Sequence, residues 1–135
     1  RVLARVLTFS EPYYVPMVGE PASLAVMNTP VCLPGYLALV PEGYPFRNAC
    51  PARVLLSTTL YRPPAHAKRV NCPALVVMAE KDSIVNPDAV EKAAARLPRG
   101  ELMRLPVGHF DVYLGDVFER VVEAESDFLA RNLGL

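Results

Sequence analysis

The sequence has no excess of either charge and no cluster of one sign. Its 14 Lys and Arg residues balance its 14 Asp and Glu residues, so the formal net charge is +0 at pH 7. Scattered basic residues argue against a surface for nucleic acid or for an anionic membrane. No apolar run reaches the ~18 residues that span a bilayer. We therefore expect neither nucleic acid nor a membrane as a partner.

Cysteine is also scarce. Cys32, Cys50 and Cys72 are odd in number and form no C-x-x-C pair. This usage fits reduced thiols in the cytoplasm better than a disulfide framework or a zinc site. The H-E-x-x-H signature of zinc hydrolases is missing as well. We therefore expect a cytoplasmic protein with no metal and no other cofactor.

Apolar residues, in contrast, are abundant. They make up 52% of 135 residues, which suffices for the core of one domain of ordinary size. The opening residues RVLARVLTFSEP carry charge within an apolar stretch and offer no small-residue cleavage site, so we do not interpret them as a signal peptide. They lack an initiator Met and begin as if within a helix. We therefore expect the chain to be a piece of a longer protein.

Proline divides the chain. Eleven of the 14 prolines lie between Pro12 and Pro73, and proline disfavours long helices and central strands. We expect residues 1–70 to be irregular, with short helical turns at 21–28 and 33–42, whereas 52–61 fits a helix or a strand. Aromatic side chains there fit either a pocket lining or loop anchors on a core. They are Tyr13, Tyr14, Tyr36, Tyr44, Phe46 and Tyr61.

From Pro73 onward the apolar pattern is regular. The run ALVVMA (74–79) is typical of a strand buried on both faces of a parallel sheet, and ELMRLPV (101–107) predicts a second strand. Strand, helix, strand and helix in alternation predict an α/β architecture with right-handed crossovers.

The two helices of this tail have recognisable ends. Asn86 is the expected N-cap of the first, with Pro87 at its first position and an apolar stripe that runs to Leu97. The second is expected to begin at Asp116, with Glu119 in a capping-box relation. Its predicted end is Gly134.

Two side chains with acid–base chemistry follow the two predicted strands. Asp82 comes after the first strand and His109 after the second. Since ligand sites gather beyond the carboxyl ends of parallel strands, we expect the two to meet. A carboxylate that accepts the imidazole Nδ1–H fixes the tautomer and stabilises the imidazolium.

Simpler interpretations of these residues stay open. His109 also fits an ordinary loop histidine, and Asp82 fits a cap on the following turn. Asp111 is a competing partner for His109, although its position favours a solvated or capping role. His66, in the proline-rich segment RPPAHAKR, is expected on the surface.

The segments MAEKD (78–82) and PVGHF (106–110), in this order after two strands, resemble the C-terminal part of an α/β hydrolase. In that family the triad runs nucleophile, acid, histidine along the chain. The resemblance implies that Asp82 is the acid and His109 the base. It also implies a cap or lid in residues 1–70, followed by the last strand–helix–strand–helix part of the hydrolase core in residues 71–135.

Two features depart from the family pattern. Ala79 stands where the family often has glycine, three residues before the acid. No G-x-S-x-G nucleophile elbow occurs in the sequence, so the resemblance puts the nucleophile and the oxyanion hole upstream of Arg1. We therefore expect the chain alone to be inactive.

The resemblance implies a parent serine hydrolase that cleaves ester, thioester or amide bonds of a small acyl substrate. Without its upstream half, the strand at 74–79 keeps an unpaired edge. We therefore expect self-association or pairing with the complementary N-terminal half. A different class of function stays open, namely a non-catalytic binding or assembly module on the same frame.

Overall fold

The computed structural model describes residues 11–58 and 61–135, so the helical start expected in residues 1–10 lies outside the described ranges. The chain divides into two compact units, Arg1–Tyr61 and Arg62–Leu135. Within the described ranges, no helix has both the length and the apolar character needed to cross a membrane.

The first unit is built from very short elements, in keeping with its prolines. An antiparallel pair of two-residue strands is formed by β1 (Tyr14–Val15) and β2 (Cys50–Pro51). Its helices are α1 (Cys32–Ala38) and α2 (Val54–Thr58). The ambiguous segment 52–61 is thus helical in its described middle.

Of the two helical turns expected in this unit, one is confirmed and one is wrong. Helix α1 overlaps the expected 33–42 and begins one residue earlier, at Cys32. The segment 21–28 is not helical, because Val26 donates its N–H to the carbonyl of Pro16 (3.0 Å) instead of to a helical neighbour. Ala22 also has φ 65°, a left-handed conformation that cannot continue a right-handed helix.

Asn48 ties distant parts of the first unit together. Its Oδ1 accepts hydrogen bonds from the N–H groups of Met17 (2.8 Å) and Val18 (3.0 Å), and its Nδ2 donates to the Val18 carbonyl (2.8 Å). Val18 is fully buried, where unmet backbone groups are costly. The Asn48 side chain therefore makes the backbone hydrogen bonds that a neighbouring strand would make in a regular sheet.

The second unit alternates strands and helices, as predicted. Parallel strands β3 (Ala74–Ala79) and β4 (Gly100–Leu105) pair along their whole lengths. Helix α3 (Pro87–Ala94) connects them and α4 (Gly115–Leu133) follows. Two 3₁₀ helices, Pro63–Arg69 and Asp111–Tyr113, precede β3 and α4 respectively.

Two predicted helix ends are confirmed. The Asn86 Oδ1 accepts from the N–H groups of Asp88 (2.9 Å) and Ala89 (3.3 Å), with Pro87 at the first position. Gly134 closes α4 with φ 72°, the left-handed conformation that favours glycine. Helix α3 ends at Ala94 and so stops before Leu97.

The predicted capping box is wrong. Helix α4 begins at Gly115, one residue before Asp116, and Leu114 is its N-cap. Phe118 donates its N–H to the Leu114 carbonyl (3.3 Å), and a leucine side chain has no oxygen with which to cap. Asp116 instead lies in the first turn, where its charge suits the helix dipole.

One face of α4 is buried in the core of the second unit, and α3 packs on both strands. A fully buried large aliphatic or aromatic side chain contributes about 1.5–3 kcal/mol. The buried side chains of this core are Ala67, Met78, Ala94, Leu105, Phe110, Val121 and Phe128.

Strand β3 is less buried than the sequence predicts, and α4 also leaves apolar side chains exposed. Of the six residues of β3, Met78 alone is buried, because the described sheet has only two strands. A second apolar stripe on α4 is exposed. It consists of Phe118, Val122, Leu129 and Leu133.

Candidate functional site

Backbone hydrogen bonds continue past the ends of β3 and β4. Glu80 donates its N–H to the Leu105 carbonyl (2.8 Å), and Lys81 donates to the Val107 carbonyl (3.0 Å). Val107 donates its N–H to the Leu105 carbonyl (2.8 Å) within its own chain segment. Strand β4 therefore ends at Leu105, two residues before the expected 107. The acid loop (residues 80–86) and the histidine loop (residues 106–110) therefore leave the sheet side by side.

Within the acid loop, Asp82 is held by the chain that follows it. Its Oδ1 accepts from the N–H groups of Ile84 (2.7 Å) and Val85 (2.9 Å), as aspartates do in Asx turns. The turn before it also closes, because the Asp82 N–H reaches the Ala79 carbonyl (3.3 Å). Alanine at that position is compatible with the turn.

The pKa of Asp82 is lowered. Burial of the side chain, which is 10% exposed, acts to raise the pKa. The Val85 N–H, His109 and the Ile84 N–H together outweigh burial because they stabilise the ionised form. Asp82 is therefore a carboxylate at neutral pH.

The second carboxylate oxygen reaches the imidazole. Asp82 Oδ2 lies 2.7 Å from His109 Nδ1, which confirms the predicted proximity of the two side chains. Since an ionised carboxylate can only accept hydrogen bonds, Nδ1 carries the hydrogen, and in the neutral imidazole Nε2 then keeps a free lone pair. The two side chains form the Asp82–His109 dyad.

The surroundings of His109 fix its ring and leave it reachable. The His109 side chain is 26% exposed. Its ring meets Phe110 edge to face, with centroids 4.9 Å apart and planes at 79°. Phe110 is buried and so anchors the histidine loop in the core of the second unit.

The other candidate residues are not part of the dyad. The Asp111 Oδ2 accepts the Gly108 N–H (2.7 Å), so Asp111 binds the loop backbone while Asp82 holds the imidazole. His66 is exposed, as predicted. Cys32 is buried, Cys50 half-buried and Cys72 exposed, all with free thiols. Among residues 11–58 and 61–135, no group of three or more potential ligands could hold a metal ion.

The sequence left a cap on the following turn open for Asp82 and favoured a solvated or capping role for Asp111, but it did not identify the N–H groups that the two aspartates accept. The segment DSIV carried a signal for the first, because aspartate often accepts from amides two or three residues ahead. The spacing in GHFD permits the second contact, yet that spacing alone does not distinguish a backbone partner from an imidazole partner.

The dyad can hold and move a proton, but no serine whose side chain is described is hydrogen-bonded to it. Ser23, Ser83 and Ser126, whose side chains the structure describes, are not hydrogen-bonded to His109. A cleft of about 440 Å³ opens beside the acid loop and is lined by residues 80 and 82–88. The cleft therefore borders the acid loop, and its lining includes Asp82 but not His109.

The chain is similar in sequence to curated bacterial proteins. The quorum-quenching protein AidA of Acinetobacter baumannii (strain MDR-ZJ06) is 34% identical over 122 residues, which are 90% of this chain and 40% of AidA. An uncharacterised 31.7 kDa protein in the traX-finO intergenic region of Escherichia coli is 30% identical over 86 residues, 62% of this chain and 30% of that protein. No protein-family model matches the sequence.

Solved structures of similar shape give the fold. DcsB, determined in complex with its substrate analogue, has a TM-score of 0.77 at 21% identity, over 100% of this chain and 48% of DcsB. The α/β hydrolase GrgF of Penicillium sp. sh18 has a TM-score of 0.71 at 24% identity, over 99% of this chain and 47% of GrgF. The chain has the fold of part of an α/β hydrolase. It spans less than half the length of the relatives it matches.

Proposed function

We propose that the chain is the C-terminal part of a serine hydrolase, with Asp82 as the triad acid, His109 as the general base and residues 1–70 as the cap. The observation that carries the proposal is the 2.7 Å hydrogen bond between Asp82 Oδ2 and His109 Nδ1 at the shared edge of two parallel strands. Chain order, acid before histidine, supports it.

The proposed chemistry uses both nitrogens of His109. Nε2 takes the proton of a serine hydroxyl from another segment while that oxygen attacks the acyl carbon of the substrate. The leaving group then receives this proton, and water releases the acyl group by the same route. Asp82 stabilises the imidazolium throughout, and its lowered pKa keeps it charged.

The proposal assigns the nucleophile to the part of the relatives that this chain does not match. The chain has no G-x-S-x-G and covers 40% of AidA, which leaves room for a nucleophile half. We expect the chain alone to leave p-nitrophenyl esters intact and to resist fluorophosphonate labelling. Turnover by the isolated chain that His109→Ala abolishes would contradict this assignment.

Complementation tests the proposal directly. The chain is co-expressed with the segment of AidA that it does not match, and p-nitrophenyl ester hydrolysis is measured. We expect activity that His109→Ala abolishes and that His66→Ala, the matched change at an exposed histidine, leaves intact. A stable complex without activity would favour the alternative, a non-catalytic binding or assembly module.

The exposed apolar surfaces of the second unit support the proposal of a partner. Two strands with one apolar helix face exposed are too little for a stable sheet, so we propose that a complementary N-terminal half or a second copy covers β3 and α4. Light scattering after size-exclusion chromatography should show an assembly, and a stable dilute monomer would contradict it.

We propose a small acyl compound as substrate and the cytoplasm as location. Quorum quenching, the role named for the Acinetobacter relative, is a candidate biological context. Comparing esters, thioesters and amides in the complemented protein would define the bond that is cleaved.

A further inference from the structure

The histidine loop is closed by a second carboxylate that takes no part in the dyad. The Asp111 Oδ2 accepts the N–H of Gly108 at 2.7 Å. This bond encloses residues 108–111 in a ring, and His109 lies inside it. Asp111 also begins the 3₁₀ helix Asp111–Tyr113, so its backbone is fixed by the chain that follows.

The backbone is also held on both sides of His109. Before it, the Val107 carbonyl accepts the Lys81 N–H (3.0 Å), which ties this loop to the acid loop. After it, Phe110 is buried. The Asp111 bond links these two anchors across the histidine, so the imidazole is presented to Asp82 from a backbone held at both ends.

The contact also explains the glycine before His109. A Cβ added at Gly108 would lie 3.2 Å from the Asp111 Oδ2, closer than most such contacts. The carboxylate therefore sits against the glycine, and a Cβ there would require it to shift by a few tenths of an ångström.

We propose that Asp111 is a positioning residue that sets the His109 imidazole through the Gly108 backbone, an inference that rests on the proposed function of the dyad. Asp111 acts on the loop and does not touch the reacting atoms. A hydrogen bond to a charged acceptor can shift a loop-opening equilibrium by roughly tenfold. The Asp82–His109 hydrogen bond should open more often by that factor when the Asp111 carboxylate is removed.

Proton NMR of the 135-residue chain with ¹⁵N-labelled histidine tests this. The chain has two histidines, so exposed His66 is an internal reference. In Asp111→Ala we expect the Nδ1–H of His109 to exchange with water roughly tenfold faster. Asp111→Asn keeps an acceptor oxygen and should restore most of the protection. Asp127→Ala, at an exposed aspartate of α4, is the matched control and should change nothing.

A second variant guards against misfolding. Gly108→Ala keeps every polar group and displaces only the carboxylate, so we expect intermediate exchange. Unchanged exchange in either Asp111→Ala or Gly108→Ala would overturn the inference, and if Asp111→Ala does not fold, Gly108→Ala decides. Faster exchange in these variants together with an inactive complemented protein would reject the proposed function and leave the positioning role intact.

Discussion

The acid loop and the histidine loop reach the same hydrogen bond by different means. Asp82 is held by two amides of its own loop and is 10% exposed, whereas the His109 side chain is 26% exposed. The histidine loop depends on a buried phenylalanine and on a carboxylate three residues from Gly108. Asp82 is thus fixed by its own loop, whereas His109 is fixed by packing and keeps part of its side chain exposed.

The largest effect should come from the acid loop in the complemented protein. Asp82→Asn places an amide donor against Nδ1 and reverses the tautomer, so Nε2 can no longer accept a proton. We expect kcat to fall by a factor on the order of 10⁴. The matched change Asp127→Asn should leave kcat unaltered, and equal activity of the two variants would refute the role of Asp82.

The next effect should come from the anchor of the histidine loop. Phe110→Ala removes a buried ring and should lower the free energy of unfolding by about 3–5 kcal/mol, measured by denaturant titration. Tyr113→Ala, at an exposed aromatic in the following 3₁₀ helix, is the control and should change it little. A small loss in Phe110→Ala would show that packing does not hold this loop.

A smaller effect is expected where the acid loop passes into α3. Asn86→Ala removes a side chain that accepts two N–H groups and should reduce stability by about 1 kcal/mol. Because the cap acts on the helix, the Nδ1–H resonance of His109 should not move. A shift of that resonance would mean that the acid loop is coupled to the helix cap.

The smallest effect should appear only at acidic pH. The pKa of Asp82 is lower in the folded chain than in the unfolded one, so the unfolded chain binds more protons near that pKa. The contribution of Asp82 to the free energy of unfolding is complete above about pH 4 and is lost as the pH falls through the pKa of Asp82 in the folded chain. The stability difference between wild type and Asp82→Asn should therefore shrink below about pH 4. A constant difference down to pH 2 would contradict it.

The second unit was largely predictable because the spacing of its apolar residues and the residues that cap its helices indicate the same elements. The run at 74–79 and the cap at Asn86 each carry a local signal that the structure follows. The start of α4 was not predictable from its capping box, because Leu114 takes the N-cap position without a polar side chain.

The first unit was less predictable because its structure depends on contacts across long stretches of chain. Asn48 binds Met17 and Val18 about 30 residues away, and no periodic pattern marks such a bond. At the site, the meeting of Asp82 and His109 followed from strand order. The backbone amides around Asp82 depend on loop geometry, which strand order does not specify.

The position of the proton on the His109 ring tests most directly whether Asp82 prepares this histidine to act as a base. Histidine-selective ¹⁵N NMR of the chain, recorded at a pH where the imidazole is neutral, reports which ring nitrogen carries the proton. We expect a protected Nδ1–H and an unprotonated Nε2 for His109, and an unprotected signal for His66. An Nε2–H tautomer, or a His109 signal that matches His66, would contradict the claim that Asp82 prepares His109 to act as a base.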